Sequence, residues 1–521
     1  MLHELIYSSI GLVLLAYALD YAIGFTNDVR EPKRVNPKVP LIGHLLGMVK
    51  YGGSYFTHTS IRTKDEIYTL PIFNAKIYVS NSLRLVPLIQ KASKTLSFRP
   101  FHKTSIQKIS GCSAAGANLF DGSLTDDYDR ILRTTLAPGP WLDEQNLRMG
   151  HSSAAQIDAM IKDGEEKKIL LLEWARHIIV QASSCGIFGQ EHPFLDPEVE
   201  KAFWKLQAHL PIHMASLDFF GQVVKSHEVM HKAFLNYCAA PPADAARTLL
   251  ERQRVLREAG MSFEDAAKQE TSMCMAMFGS TVPTLYWTIW ELFSRPKVLA
   301  EVREEIETQA VSRKPGEEKE THDADAETDF LLDVTALKTR CPLLLSVFQE
   351  TQRTRHVHAN IRLVLEDTFL DDGRYLLRKG NFLMMPGSPI HRDVSVWGQS
   401  AGTFNPYRFV PNPSKVVSAD AVPPPSGFLS WGAPPYLCPA RQFASTEILI
   451  IMALLAMQVD LIPATNNSQW EQSPALDYGE LVTVFNPARD VEMYMKPREQ
   501  GVGKWTLKMG ESKTRVPIAS G

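Results

Sequence analysis

The segment that most narrows what this chain can become is a cysteine loop with fixed neighbours on both sides. Residues 400–428 carry six prolines and few periodic positions, so neither a helix nor a central strand can run through them. This meander closes on FLSWGAPPYLCPAR, residues 428–441, and passes at once into FASTEILIIMALLAMQVDL, a helical stretch apolar on every side. Ordered loops of that length are uncommon unless they do something. A cysteine just before a helix amino terminus, here Cys438, meets free N–H groups and the positive end of the dipole, and Arg441 adds a cation within one turn. Taken alone, the loop fits two readings: a metal-ligating thiolate, or the buried free cysteine that is the commonest fate of the residue.

Composition removes other classes. With 521 residues, 45% of them hydrophobic, the chain can bury a large core and is no disordered tail. A net charge of −3 with scattered signs leaves no basic footprint for nucleic acid. Cysteines 112, 185, 238, 274, 341 and 438 lie far apart without a CxxC pair, which excludes a zinc ribbon and a disulfide framework and implies reduced thiols facing the cytosol.

Residues 6–25 hold a single charge, Asp20, and are long enough to span a bilayer; Arg30, Lys33, Arg34 and Lys38 follow, which places the body on the cytoplasmic side. Prolines 32, 37 and 40 stiffen the connection. The chain therefore divides into a membrane anchor at 1–28, a proline-rich hinge at 29–45, a catalytic domain at 46–500 and a tail at 501–521. Beyond about 125 the pattern is mostly amphipathic helix, for instance at 198–238 and at 263–308 with a break near Arg295-Pro296. Strand-like runs at 67–71, 77–80, 361–365 and 382–385 make a small sheet from two distant stretches, and the acidic run 312–329 reads as a solvated surface loop.

Four further motifs occur in one order with the cysteine loop. Glu350-Thr-Gln-Arg353 is an ExxR, a spacing that also occurs at Glu31, Glu173 and Glu251 and is selected here only by its place among the others. His391-Arg392-Asp393 and Trp397-Gly398 follow, then Phe404-Asn-Pro406-Tyr-Arg408-Phe409. On these residues the chain resembles the cytochrome P450 family of haem-thiolate enzymes, from the anchor to about residue 495. The resemblance implies a mainly α fold, with a helix-rich body and a small β-rich lobe, behind an N-terminal transmembrane helix. It implies haem b with Cys438 as the iron ligand, and a buried charge triad of Glu350, Arg353 and Arg408 that locks the meander. Arg362 sits where the family places a propionate-binding arginine; Arg441, Arg130 and Arg133 are the other candidate cofactor contacts. The loop departs from the family pattern at Trp431, Pro434 and Ala440, where Phe, Gly and Gly are usual, and Gly432 is left to provide the close backbone approach.

The long helical stretch at 263–308 carries Ala276-Met-Phe-Gly279-Ser280-Thr281-Val-Pro283. In the family an acid precedes the threonine and the pair relays protons to bound dioxygen; here Ser280 replaces the acid, so Thr281 and Ser280 are the catalytic candidates. A hydroxyl bonded back to its own helix is the plainer reading of such residues. Ala276, Gly279, Val357 and His358 are the candidate pocket residues, within apolar stretches at 101–119, 205–235 and 356–359. The motifs look most like the branch with sterol 7-alpha-hydroxylases and prostacyclin synthase. The resemblance implies an endoplasmic reticulum monooxygenase, single-pass and facing the cytoplasm, that takes electrons from NADPH through a separate cytochrome P450 reductase. It would hydroxylate or epoxidise a terpenoid, sterol or polyketide in secondary-metabolite biosynthesis. The alternative is an electron-independent isomerase or dehydratase of the prostacyclin synthase type.

Overall fold

The computed structural model describes residues 2–24, 27–72, 75–314, 329–411, 425–465, 468–472, 474–480, 482–510 and 512–520. Most of the acidic run and residues 412–424 of the meander lie outside them. The helices that matter here are α1 (Leu2–Gly24), α2 (Leu124–Thr135), α3 (Leu171–Phe188), α4 (Pro197–Met214), α5 (Phe263–Phe293), α6 (Pro296–Gln309), α7 (Pro342–Arg355) and α8 (Arg441–Gln458).

Helix α5 is the axis of the body. At 31 residues it runs ~46 Å, starts on Ser262, whose hydroxyl accepts from the Asp265 amide, and is buried over most of its length. It packs on α3, α7 and α8. Proline ends it as expected: α5 stops at Phe293 and Pro296 opens α6 at a position where a missing N–H costs nothing. Helix α8 is buried from Gln442 to Gln458 apart from a half-buried Ala444, as an all-round apolar sequence requires. The single helix expected over 198–238 is two, α4 and Gln222–Ala239. The chain turns at 215–221, and the Asp218 carboxylate accepts from the amides of Gln222 and Val223, both at 2.9 Å, starting the second helix.

The small lobe is a five-stranded sheet of β1 (Ile67–Ile72), β2 (Ala75–Ser80), β3 (Leu96–Ser97), β4 (Ala359–Val364) and β5 (Phe382–Pro386), in the order β1-β2-β5-β4-β3. Only β2 and β5 pair in parallel, through Phe382↔Ile77, Leu383↔Tyr78 and Met384↔Val79. This joins the two distant stretches into one surface. Strand β4 alternates, with Asn360, Arg362 and Val364 buried, so an arginine occupies a core-facing position.

Residues 501–521, read from the sequence as a tail, are part of the body. Lys504–Lys508 pairs in parallel with Asp329–Asp333, and Trp505 is buried and stacked on Phe330 at 4.6 Å between ring centres. Beyond it Val516 and Ile518 are buried, and Gln442 of α8 holds the Val516 backbone from both sides (3.1 and 2.7 Å). Three apolar side chains with a core to enter are reason enough for the segment to fold back.

At the other end α1 has exposed apolar side chains at Ile10, Leu12, Val13, Leu14, Leu15 and Leu19. Its one central charge, Asp20, pairs with Arg34 at 2.9 Å and accepts from the Leu41 amide at 3.1 Å. The hinge lies along β1: the Val35 amide donates to Thr69 O and the Thr69 amide donates to Lys33 O, both at 2.9 Å. Among the described residues no helix is long and apolar enough to cross a membrane.

One buried acid in α8 makes a pH-dependent contribution. Burial pushes the Glu447 carboxyl up to about 8, although Ser183 donates to it at 2.6 Å. The unfolded chain gives up this proton near pH 4.5 while the folded chain keeps it, so this group's contribution to stability falls as pH rises from about 4.5 to about 8 and is level above. Glu447→Gln keeps the shape of the protonated acid. Its melting temperature is expected to exceed the parent's by more at pH 8 than at pH 5.5, with an upper bound of about 5 kcal/mol at the alkaline end. A gap that does not widen with pH in paired thermal melts would refute this.

Candidate active site

Every strand of the Cys438 loop's support can be traced. Glu350, on α7, is fully buried and takes Arg353 in a two-point pairing, Nε to Oε2 at 2.7 Å and Nη2 to Oε1 at 2.8 Å. Arg408 donates its Nε to both carboxylate oxygens, at 3.1 and 3.0 Å. Two cations on one anion leave an excess positive charge, which backbone carbonyls of the meander offset. Arg353 donates to His391 O, to Ala401 O at 2.7 Å and to Thr403 O at 3.0 Å, while Arg408 donates to Trp397 O at 3.1 Å and Ser400 O at 2.9 Å. The charges therefore fix the path of residues 391–408.

His391 continues the chain of bonds into the cysteine loop. Its Nε2 accepts from the Leu429 amide at 2.9 Å, which requires the proton on Nδ1, and Nδ1 donates to Arg353 O at 3.2 Å. Burial, with the Arg353 guanidinium close by, pulls its pKa down to about 3, so the ring is neutral at physiological pH.

The loop itself turns at Gly432, with φ of +96°; a Cβ there would lie 2.6 Å from Tyr436 O. This is the close approach left to it by Pro434 and Ala440. The Cys438 amide donates to Trp431 O at 2.8 Å, and Arg441 donates through Nη1 to Cys438 O at 3.2 Å. Burial raises the thiol's pKa, against the Ala440 amide and the Arg441 guanidinium, which lower it. The sequence argument weighed only the helix terminus and the arginine; desolvation of the sulfur outweighs both.

Whether these residues fit a haem can be judged from Arg362. Its side chain is buried and donates to Ile361 O at 2.7 Å and Ala433 O at 3.0 Å, and its guanidinium carbon stands 4.6 Å over the Tyr436 ring. Among the described residues no carboxylate pairs with it, and burial drags its pKa to about 10. A buried cation without an anion is costly, and a haem propionate beside the Cys438 loop would supply the missing partner. The group fits. Arg362→Leu is expected to raise the melting temperature of the haem-free protein and to speed haem loss to a scavenging apoglobin by about tenfold or more; unchanged transfer would count against the assignment.

On the opposite element, Ala276 is exposed and Ser272, Met273 and Ser280 are half-buried, all on one face of a helix otherwise packed tight. Ser280 makes no hydrogen bond through its hydroxyl among the described residues. Thr281 is buried and commits its hydroxyl proton to Met277 O at 2.6 Å, the back-bonded arrangement; Pro283 lacks the N–H that Gly279 O would take. Val357 and His358 are half-buried beside the sheet, and burial next to Arg362 holds the His358 ring at about 4, hence neutral.

Arg130 and Arg133 are not gathered into this site. Helix α2 turns Tyr128 and Leu132 inward, which sends both arginines to solvent: Arg130 is paired with Asp127 at 2.5 Å and Arg133 lies 3.9 Å from Asp129. Conversely, sequence reasoning passed over Tyr436, whose only signal is an aromatic two residues before the cysteine. It also passed over a polar cluster of Gln207, Glu480 and Asn486 beside Gly279, which has no local signal at all.

The comparisons agree with this geometry. The family model described as Cytochrome P450 matches residues 161–474. The chain is 28% identical over 501 residues to cytochrome P450 monooxygenase nodJ of Hypoxylon pulicicidum, covering 95% of each chain. It is 20% identical to cytochrome P450 7A1 of Rattus norvegicus (93% of this chain, 97% of that one) and 25% identical to 7-alpha-hydroxycholest-4-en-3-one 12-alpha-hydroxylase of Homo sapiens (83% and 86%).

Proposed function

The chain belongs to the cytochrome P450 family and is a monooxygenase that works with haem b and a redox partner, and on that premise we propose that it oxidises a lipophilic, ring-bearing small molecule of a secondary-metabolite pathway, drawing electrons from an NADPH-dependent reductase at the endoplasmic reticulum. The observation that carries the site assignment is the unpaired, buried Arg362 beside a Cys438 loop locked to Glu350. Bound haem supplies the oxygen chemistry and the protein arranges what surrounds it. Cys438 is the iron ligand and Arg362 takes a propionate. Ala276 and Ser280 would line the substrate side of the site, Pro283 leaves Gly279 O without its helical donor, and the Ser280 hydroxyl would carry protons where the threonine's is engaged. The relatives whose names specify steroid hydroxylation support a rigid polycyclic substrate.

The apolar surface of α1 supports a membrane anchor that leaves the body on the cytoplasmic side, its Asp20 neutralised by Arg34 at the boundary. Alkaline carbonate extraction tests it: an anchored chain stays with the membranes, and release into the supernatant refutes the anchor.

The reaction is tested by the carbon monoxide difference spectrum of microsomes, reduced once chemically and once with NADPH and reductase. A red-shifted thiolate-type band with both reductants is the expected result. The band with chemical reductant alone would favour rearrangement chemistry that needs no electrons. No band with either would overturn the Cys438 assignment.

A further inference from the structure

Three polar side chains from distant parts of the chain meet beside α5. Glu480 Oε2 accepts from Gln207 Nε2 of α4 at 2.9 Å and from Asn486 Nδ2 at 2.8 Å. The carboxylate is 11% exposed, and Arg176 of α3, itself over the Trp204 ring, lies 3.8 Å from its other oxygen. Because a carboxylate only accepts, each amide must present its nitrogen to it, and the reverse orientation would set oxygen against oxygen. The two amide oxygens are therefore turned away. Gln207 Oε1 and Asn486 Oδ1 are both buried, in residues 3% exposed, and neither accepts a hydrogen bond among the described residues. Gln207 Oε1 is directed at the turn of α5 before Pro283: a Cβ built on Gly279 would stand 3.3 Å from it.

Tying Glu480 and Asn486 to α4 would use the N–H groups alone and gives no reason for two orphaned acceptors, each of which is destabilising while unmet. We infer that Gln207 and Asn486, oriented by Glu480, form a subsite for a hydrogen-bond donor of the substrate, which is therefore a lipophilic molecule bearing a hydroxyl or N–H group at the end held against α4. The negative charge behind the amides strengthens both acceptors and disfavours an ether or ketone in the same place. The inference rests on the haem-thiolate reading, since that reading makes the Gly279 face of α5 the roof of the pocket.

The test is spectral titration of the membrane-bound holoenzyme with 4-phenylimidazoles carrying para-alkanol arms of increasing length, each against its own methyl ether. The imidazole reports haem binding by itself, and the arm probes the subsite. At one arm length or more the alcohol is expected to bind about tenfold tighter than its ether. In the Gln207→Leu and Asn486→Leu variants, and in the double variant, the preference falls to about twofold or less, while the unarmed imidazole, which binds as before, shows the pocket intact. Glu480→Gln also weakens the preference, because the amides lose their fixed orientation. The same preference in the double variant, or none at any arm length in the parent, overturns the subsite. An imidazole that gives no spectral change in the parent overturns the haem-thiolate reading instead.

Discussion

Replacing Glu350 by alanine is expected to abolish soluble, haem-loaded protein, not merely to slow turnover. The carboxylate is fully buried and answers two guanidinium groups at once. Removing one partner of a buried ion pair costs about 3–5 kcal/mol, and here two cations are stranded together, against a total stability of about 5–15 kcal/mol for a folded chain. The damage is directional. Arg353 and Arg408 between them hold the carbonyls of residues 391, 397, 400, 401 and 403, and the Asn405 amide itself donates to Glu350 at 2.9 Å. Once the charges repel, the meander loses its path and the Cys438 loop loses its register. Expression yield, haem content and the carbon monoxide spectrum measure this together. Arg408→Lys, which keeps the charge but not the fork that joins Glu350 to the Trp397 and Ser400 carbonyls, should lie between. Normal haem content in Glu350→Ala would show that the triad is not what positions the loop.

Cys438→Ala is expected to do the opposite: to leave the fold and remove the chemistry. The side chain is small, and the bonds at this position are the backbone's, from the Cys438 amide to Trp431 O and from Arg441 to Cys438 O. The melting temperature of the haem-free protein should therefore change by a few degrees at most. The thiolate-type carbon monoxide band should vanish entirely, and with it all monooxygenation. A retained band would place the ligand elsewhere.

What could be read in advance divides by how the chemistry is written into the chain. The cysteine loop, the ExxR and the F-x-P-x-R-F are contiguous, so their residue types alone carry the message, and Glu350, Arg353 and Arg408 do meet. The sheet was legible because its strands alternate, and the break at Arg295-Pro296 because proline cannot be passed through. The rest depends on contacts between segments far apart in sequence. Gln207 and Glu480 are separated by 273 positions, and neither sits in a pattern of its own. The outward turn of Arg130 and Arg133 follows from which face of α2 is apolar, a matter of helix phase that a motif search ignores. The Cys438 thiol was judged by its charged neighbours, while burial, which only the fold supplies, decides its direction.

The grip of Gln442 on Val516 has a practical side. Arg441 and Gln442 open the helix that follows Cys438, so residues 516–519 are in mechanical register with the cysteine loop: Gln442 holds Val516, and Gln349 of α7 accepts from the Ala519 amide at 2.5 Å. A substitution at Val516 or Ala519 therefore acts on the helices behind the cysteine loop and not on a loose end. A chain that ended before Trp505 would give up three buried apolar side chains, Trp505, Val516 and Ile518, together with this hold on α8.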